Sequence, residues 1–272
     1  MGGAGLRRGR RARVHRGPTP RLRPRAPVAR GARRGLRARR NRADLAPGVT
    51  GRTPRRLVLA RHAESAGNVA GLWQGQSGLG LTCRGLAQAA ALAQRLADEA
   101  SLAAVVCSDQ RRALETVAPL RRQASVPCDG DARWRELDVG TWAGRPVAEV
   151  RQREPERFAA FWQGRAPAGG DGETVGQLRA RVREALVELQ HGLAEGATAV
   201  VVTHGWALRA AVGELAGLAD GQECGLGGVG NAALCVLELA AAEPGAPWQV
   251  TAYDDRSHLP AQLRARPDRR AA

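Results

Sequence analysis

The chain has 272 residues, which suits one domain of ordinary size or one domain with a tail. Its formal charge of +16 is concentrated in the first 56 residues, where 19 arginines accompany a single acid, Asp44, whereas the remaining residues carry 23 arginines and 25 acids. The basic balance belongs to one end of the chain, so it does not by itself indicate a folded nucleic-acid-binding domain.

Residues 1–55 form an arginine-rich tail that is too charged and too poor in apolar residues to bury a core. No apolar segment in it is long enough for a signal peptide or a membrane span. Three interpretations stay open: a disordered appendage, a start codon assigned too early, or an arm that binds nucleic acid. Clustered arginines bind phosphate backbones non-specifically, but the tail has no aromatic residue for stacking on bases.

The cysteines indicate a reducing compartment. Their number is odd and no C-x-x-C pair occurs, which argues against both a disulfide framework and a zinc site. We therefore expect a soluble cytoplasmic protein. The five are Cys83, Cys107, Cys128, Cys224 and Cys235.

From about residue 55 onward, short apolar runs alternate with longer amphipathic segments. This alternation predicts an α/β fold of packed layers around a mostly parallel sheet. The predicted strands are 57–60, 102–106, 198–202, 232–239 and 248–253. The predicted helices are 82–98, 110–122, 174–193 and 206–216, with one or two short helices in 145–163 that Pro155 interrupts.

Two of these segments have strong local signals. The helix at 82–98 has Thr82 as its N-cap and apolar positions at Leu86, Ala89, Ala93 and Leu96. The helix at 174–193 has an apolar stripe of Val175, Leu178, Val182, Leu186 and Leu189. The β-branched run at 198–202 is typical of a strand buried on both faces.

Polar side chains follow the predicted strands where ligands bind in open parallel sheets. Arg61 and His62 follow the strand at 57–60, and His204 follows the strand at 198–202. Arg112 lies in the first turns of the helix after the strand at 102–106. Such residues suit a phosphoryl group, because arginine offers paired donors and imidazole can donate or attack.

Two further residues complete the predicted site. Asn68, at the start of a helix after His62, adds a neutral donor. Glu136 stands in a polar turn bounded by Trp134 and Trp142. Taken alone it is as well explained as a surface carboxylate, but beside a phosphate pocket it could serve as a general acid.

These segments occur in the order found in the histidine phosphatase superfamily, which the chain resembles from about residue 57 to 205. The matching motifs are RHAES with Asn68, WQG, LTCRG, SDQRRALET, RELDVGTWAG, GDGET and VVVTHG, and AYDDRSHL resembles the family's closing segment. The resemblance implies a three-layer α/β/α sandwich of the phosphoglycerate mutase-like type, with the domain at 56–260 and a frayed tail at 261–272.

The resemblance also implies roles for site residues. His62 is expected to be the nucleophile that becomes phosphohistidine, and Glu136 the proton donor. The phosphate clamp is expected to comprise Arg61, Asn68, Arg112 and His204, with Gln74 as a polar lining residue. No cofactor or metal is expected, because arginines supply the positive charge. Ala63 and Ala143 depart from the family's usual glycine and acid.

Mutases of the family share a longer motif around the acid, so the resemblance of the compact segment around Glu136 implies a phosphatase instead. Its expected substrate is a small phosphorylated metabolite, with no membrane partner. The alternatives are phosphoryl transfer of the phosphoglycerate mutase type and a nucleic-acid-associated protein that uses the basic tail. The segment 145–172, with Phe158, Phe161 and Trp162, is expected to lie over the pocket and to select the leaving group.

The remaining motifs carry less chemistry. The run GLGGVG at 225–230 matches a dinucleotide fingerprint, but it lacks the preceding strand and following helix that this fingerprint needs, so we interpret it as a connection. His258 is expected either to line the pocket rim or to pack. His15 and His191 are expected in the tail and on a helix surface.

Overall fold

The computed structural model describes residues 53–99, 101–124, 128–239 and 248–264. The arginine-rich tail, except for its last three residues, and His15 lie outside this part of the chain.

In chain order the helices and strands are β1 (Arg55–Arg61), α1 (Ala66–Ala70), α2 (Cys83–Ala97), β2 (Leu102–Cys107), α3 (Arg111–Gln123), β3 (Cys128–Gly130), α4 (Val147–Arg153), α5 (Pro155–Trp162), α6 (Val175–Gly192), β4 (Thr198–Thr203), α7 (Gly205–Leu215), β5 (Leu234–Leu239), β6 (Gln249–Asp255) and α8 (Ala261–Arg264). Short 3₁₀ helices lie at Ala132–Trp134, Gly140–Trp142 and Gln222–Gly225.

The sheet has the strand order β3-β2-β4-β1-β5-β6. The strands from β3 to β1 are parallel, while β5 runs antiparallel to β1 and β6 antiparallel to β5. The predicted mostly parallel sheet is therefore confirmed, with two antiparallel strands at one edge.

Two apolar clusters cover the two faces of this sheet. Successive side chains of a strand point to opposite faces, so Leu57 and Leu59 of β1 join one cluster while Val58 and Ala60 join the other. Side chains of α6 and α7 complete the first cluster, and side chains of α2 and α3 complete the second. All six residues of β4 are buried, as expected for a central strand. The result is the predicted three-layer α/β/α sandwich.

The predicted elements agree with the observed ones to within a few residues. Thr82 caps α2, its side chain accepting from Gly85 N, and Pro155 begins α5 after α4 ends at Arg153. The prediction for Leu86 is wrong, since its side chain is 53% exposed. The helix expected after His62 is α1, whereas β3 was missed, because three residues are too short to show a period. The predicted tail at 261–272 begins with α8, and its last eight residues lie outside the described part.

No helix in the described part of the chain is long and apolar enough to cross a lipid bilayer.

Candidate active site

The predicted site residues converge because β1 and β4 are neighbours in register. Arg61 pairs with Thr203, so the next residues, His62 and His204, emerge side by side at the carboxyl ends of the strands. The ladder continues one step further, with His62 N donating to Thr203 O at 2.8 Å. The two imidazole ring centroids lie 5.1 Å apart.

His62 is held in one tautomer. Its Nδ1 lies 2.7 Å from the carbonyl oxygen of Ala63, which can only accept, so Nδ1 carries the proton. Nε2 then holds a lone pair and accepts from Arg112 Nε at 3.3 Å. Burial, together with the charges of Arg112 and Arg61, lowers the pKa of His62 well below 6.5. The ring is therefore neutral at pH 7, with a nucleophilic nitrogen.

Side chains of α3 and α2 hold the backbone of the segment after His62 in place. Ala63 N donates to Thr116 Oγ1 at 3.0 Å, and Glu64 N donates to Gln88 Oε1 at 2.9 Å. Helix α2 approaches this segment through Gly85, where a Cβ atom would lie 2.0 Å from Glu64 O. A side chain at this position cannot be accommodated without moving the backbone beside the nucleophile.

Arg112 is 2% exposed and is fixed by backbone carbonyls. Its Nη1 donates to Ser77 O at 2.9 Å and its Nη2 to Gly75 O at 2.8 Å. Desolvation lowers its pKa to about 10, so the guanidinium stays charged at neutral pH. The side chain brings a fixed positive charge to His62 Nε2.

Arg61 donates to the carbonyl oxygen of Val229, in the loop before β5. Its guanidinium also lies close to the start of α7, since a Cβ atom on Gly205 would be 3.7 Å from Arg61 Nε. Arg61 and Arg112 therefore supply two cations beside one imidazole.

His204 lies behind the cavity and does not line it. It is fully buried, and its Nε2 is 2.8 Å from Ser108 Oγ. Its Nδ1 has no hydrogen-bond partner among the described residues. Burial, followed by the charges of Arg112, His62 and Arg61, lowers the pKa of His204 well below 6.5. The neutral ring of His204 packs beside the ring of His62.

Glu136 is half-buried, and backbone amides hold its carboxylate. Oε1 accepts from Leu137 N and from Trp206 N, both at 3.0 Å, and Oε2 accepts from Gly205 N at 3.1 Å. Two of these donors are the first amides of α7, where a negative charge is stabilised. The carboxylate thus lies at a helix N-terminus facing the cavity, and its environment is formed by amides.

Asn68 and Gln74 both turn their amide oxygens toward the protein. Asn68 Oδ1 accepts from Ser65 N at 3.1 Å and from Asn231 Nδ2 at 2.9 Å. Gln74 Oε1 lies 2.8 Å from Ser65 Oγ. With both oxygens engaged, the amide nitrogens remain as donors at the cavity wall.

A cavity of about 330 Å³ joins these groups. Six of the seven predicted site residues line it: Arg61, His62, Asn68, Gln74, Arg112 and Glu136. Its wall also includes Trp73, Val139, Val147, Trp206, Arg209, Gly228 and Val229.

The predicted cap is correct only in part, and its selection of the leaving group stays a prediction. Within 145–172, Val147 lines the cavity, whereas Phe158, Phe161 and Trp162 do not. Phe161 is fully buried, with its ring 5.9 Å from Trp73 and 5.1 Å from Trp206. Phe158 and Phe161 pack against the cavity-lining rings of Trp73 and Trp206, whereas Trp162 is 36% exposed and contacts Trp206.

The connection 225–230 has a role that its motif did not indicate. No strand directly precedes it and β5 follows it, so the dinucleotide interpretation is correctly rejected. Gly228 and Val229 nevertheless line the cavity. His258 is not among the cavity-lining residues, and His191 is exposed on α6.

Sequence reasoning also missed residues that hold the site together. Gln110 Oε1 accepts from Glu136 N at 3.0 Å and from Arg112 Nη2 at 3.2 Å. Asn231 orients Asn68, and Arg181 donates to the carbonyl oxygen of Glu136 at 2.9 Å. Asn231 and Arg181 could not be found from the sequence, because their partners lie 163 and 45 positions away, and the role of Gln110 toward Glu136 spans 26 positions.

Cations around a neutral imidazole, with a carboxyl group across the cavity, are suited to a phosphoryl ester. A family model described as the histidine phosphatase superfamily, branch 1, matches residues 57–251. The chain belongs to this superfamily and is a phosphatase.

Individual relatives agree with this assignment. The metal-independent phosphoserine phosphatase of Arabidopsis thaliana is 34% identical over 208 residues, covering 75% of this chain and 82% of the relative. The glucosyl-3-phosphoglycerate phosphatase of Mycolicibacterium vanbaalenii is 34% identical over 204 residues, covering 71% and 89%. A solved mycobacterial glucosyl-3-phosphoglycerate phosphatase in complex with VO3 superposes with a TM-score of 0.68 at 29% identity, covering 74% of this chain and 99% of the other.

No group of three or more His, Cys, Asp or Glu residues in the described part of the chain is arranged to hold a metal ion.

Proposed function

We propose that the chain hydrolyses small phosphate monoesters in two steps through a phosphohistidine at His62. The observation that carries this proposal is the state of His62 itself. Its Nε2 has a lone pair, faces the cavity between two arginines, and belongs to a ring kept neutral at pH 7. A protonated imidazole would lack the electron pair that the attack requires.

In the first step, Arg61 and Arg112 bind the phosphoryl oxygens, and the amide nitrogens of Asn68 and Gln74 add neutral donors. His62 Nε2 attacks phosphorus, the N–P bond forms, and the bond between phosphorus and the ester oxygen breaks. Glu136, in its protonated form, gives its proton to the departing oxygen. The fixed arginines stabilise charge on the phosphoryl oxygens without reorganising during the reaction.

In the second step, a water molecule takes the place of the departed alcohol. The Glu136 carboxylate accepts its proton as the water oxygen attacks phosphorus. The N–P bond breaks, inorganic phosphate leaves, and Nε2 regains its lone pair. Glu136 is again protonated, so the cycle closes with all atoms accounted for.

The substrate class follows from the cavity and from the relatives. A volume of about 330 Å³ suits a small monoester. Relatives are named as phosphatases of phosphoserine, glucosyl-3-phosphoglycerate and α-ribazole derivatives, all small phosphorylated compounds. We therefore propose a small phosphorylated metabolite as the substrate, with hydrolysis favoured over transfer to a second acceptor.

The test is hydrolysis of an aryl phosphate by the full chain in the presence of a metal chelator. The His62→Ala variant is expected to lose activity by several orders of magnitude, as loss of a nucleophile does in other covalent mechanisms. His191→Ala is the matched control, because this histidine is exposed on α6. With ³²P-labelled ester, the wild type should hold an acid-labile label that His62→Ala lacks.

Equal activity of wild type and His62→Ala would contradict the nucleophile assignment. Labelling of the wild type without release of inorganic phosphate, together with transfer to an added phosphoglycerate, would favour the mutase alternative.

A further inference from the structure

Arg209 is a cavity-lining cation that has no part in the proposed phosphoryl clamp. It lies on α7, one helical turn after Trp206, and is 7% exposed. Its guanidinium carbon is 3.7 Å from the centroid of the Trp206 ring and 5.7 Å from that of Trp162. The group is therefore stacked and held in one place.

Its guanidinium makes no salt bridge among the described residues, and the charges of Glu136 and Glu223 act on it without direct contact. The one hydrogen bond of its side chain is from Nη1 to Leu226 O at 3.5 Å, and no acid in the described part of the chain forms a salt bridge with it. The site acid, Glu136, has both oxygens engaged by backbone amides. A buried charge without a partner is costly, and stacking on an indole compensates for only part of that cost.

Comparison with the other buried arginines shows how unusual this is. Arg179 is 5% exposed, and it pairs with Glu214 at 2.8 Å and with Asp220 at 3.1 Å. Arg112 is 2% exposed, has no salt bridge in the described residues, and faces the proposed phosphoryl position. Arg209 is like Arg112 in this respect. Each is a buried cation on the cavity wall that makes no salt bridge among the described residues.

Arg209 lies in the same cavity as the proposed phosphoryl site. Gly205 begins α7 next to Arg61 and Glu136, and Arg209 is four residues further along. Four residues of helix span about 6 Å along the axis. His62 and Arg209 line the same cavity of about 330 Å³, so one small ligand can contact both residues.

We propose that Arg209 binds a carboxylate on the leaving group, so that the preferred substrates are small phosphorylated carboxylic acids. This inference rests on the proposed function. The charges agree with a carboxylate at this position. Two arginines would bind the phosphoryl group, and the single stacked arginine would bind a group of one negative charge. The free edge of a guanidinium also matches the two oxygens of a carboxylate.

The test compares two esters that differ only in this group, phosphoglycolate and its carboxamide, phosphoglycolamide. For the wild type, kcat/KM for the acid should exceed that for the amide by about tenfold or more, the usual range for one hydrogen-bonded charge. In Arg209→Gln this ratio should fall to about 1, mainly through KM for the acid. Arg209→Lys should retain part of the preference, and Arg122→Gln, an exposed arginine on α3, should keep all of it.

The ratio separates recognition from structural damage. A fall in activity that is equal for both esters would assign Arg209 to holding Trp206 and the helix start in place, and would overturn the proposal. A wild type that hydrolyses both esters equally overturns it without any variant, and leaves the proposed phosphatase mechanism standing. A wild type that hydrolyses neither these esters nor the aryl phosphate overturns both. A bisphosphate preferred over phosphoglycolate in an Arg209-dependent way would replace the carboxylate with a second phosphate and refute the assignment.

Discussion

Replacing Glu136 with glutamine separates the role of this residue as a proton donor from its role in holding the start of α7. The variant removes the acidic proton and also turns an NH₂ group toward amides that donate to the native carboxylate. At least one backbone N–H then loses its acceptor, at a cost of about 1–3 kcal/mol for a buried donor. Because Glu136 is half-buried, we expect the lower end of this range, or about 2–4 °C in melting temperature.

The catalytic effect should depend on the leaving group. An alkyl phosphate releases a strongly basic alkoxide that needs a proton, so its kcat should fall by about 10²–10⁴-fold in Glu136→Gln. An aryl phosphate releases a weakly basic phenolate, so the loss should be much smaller. The assay measures release of inorganic phosphate from both esters, and thermal unfolding reports stability in parallel.

Glu184→Gln on the exposed face of α6 makes the same chemical change away from the cavity, and it should alter neither quantity beyond about 0.5 kcal/mol. If both esters lose the same factor in Glu136→Gln, the residue is not the proton donor, and the reasoning from its position across the cavity fails.

Three further predictions concern the scaffold around the site. Gly85→Ala should destabilise the domain by about 1–3 kcal/mol or more in urea unfolding and also lower kcat, because its Cβ collides with backbone beside the nucleophile. Gly192→Ala, with nothing within 4 Å, should stabilise the domain by less than about 1 kcal/mol, and similar shifts in both variants would refute the steric argument. Since burial lowers the pKa of His62 and His204, the unfolded chain binds more protons than the folded chain below pH 6.5. The free energy of unfolding should therefore decrease as the pH falls, by up to about 1.4 kcal/mol per pH unit for each ring. A His62→Gln variant whose free energy of unfolding keeps the same pH slope between about pH 7.5 and 5.5 would contradict this. Gln110→Leu should lower kcat by about tenfold or more with little change in KM, because the native Gln110 positions Glu136 and Arg112 without lining the cavity. An unaltered kcat would exclude that role.

Much of the fold was predictable because it depends on short-range patterns. The continuous β-branched run of β4, the apolar stripe of α6 and the Thr82 cap of α2 each lie within one element, so periodicity and capping predicted them. Leu86 shows where this reasoning fails. It lies on the apolar side of the helical pattern, yet it is 53% exposed, because the other elements of the fold decide which side of a helix is covered.

The site residues likewise fall into those that local sequence predicts and those that only the fold reveals. Arg61, His62, His204 and Arg112 could be named from the sequence, because each follows a strand and parallel strands bring their carboxyl ends to one edge. That rule needs only the alternation of strands and helices along the chain.

The groups that orient these residues depended on the tertiary structure alone. Asn231 donates to Asn68 across 163 positions of the chain, and Gln110, at the start of α3, accepts from both Glu136 N and Arg112 Nη2. In the sequence, Arg209 looks like any arginine of an amphipathic helix. In the fold it lies between an indole and the cavity, and no described acid forms a salt bridge with it. Local sequence determines which residues stand at the end of a strand. Burial and the pairing of charge are properties of the assembled layers, and only the folded chain decides them.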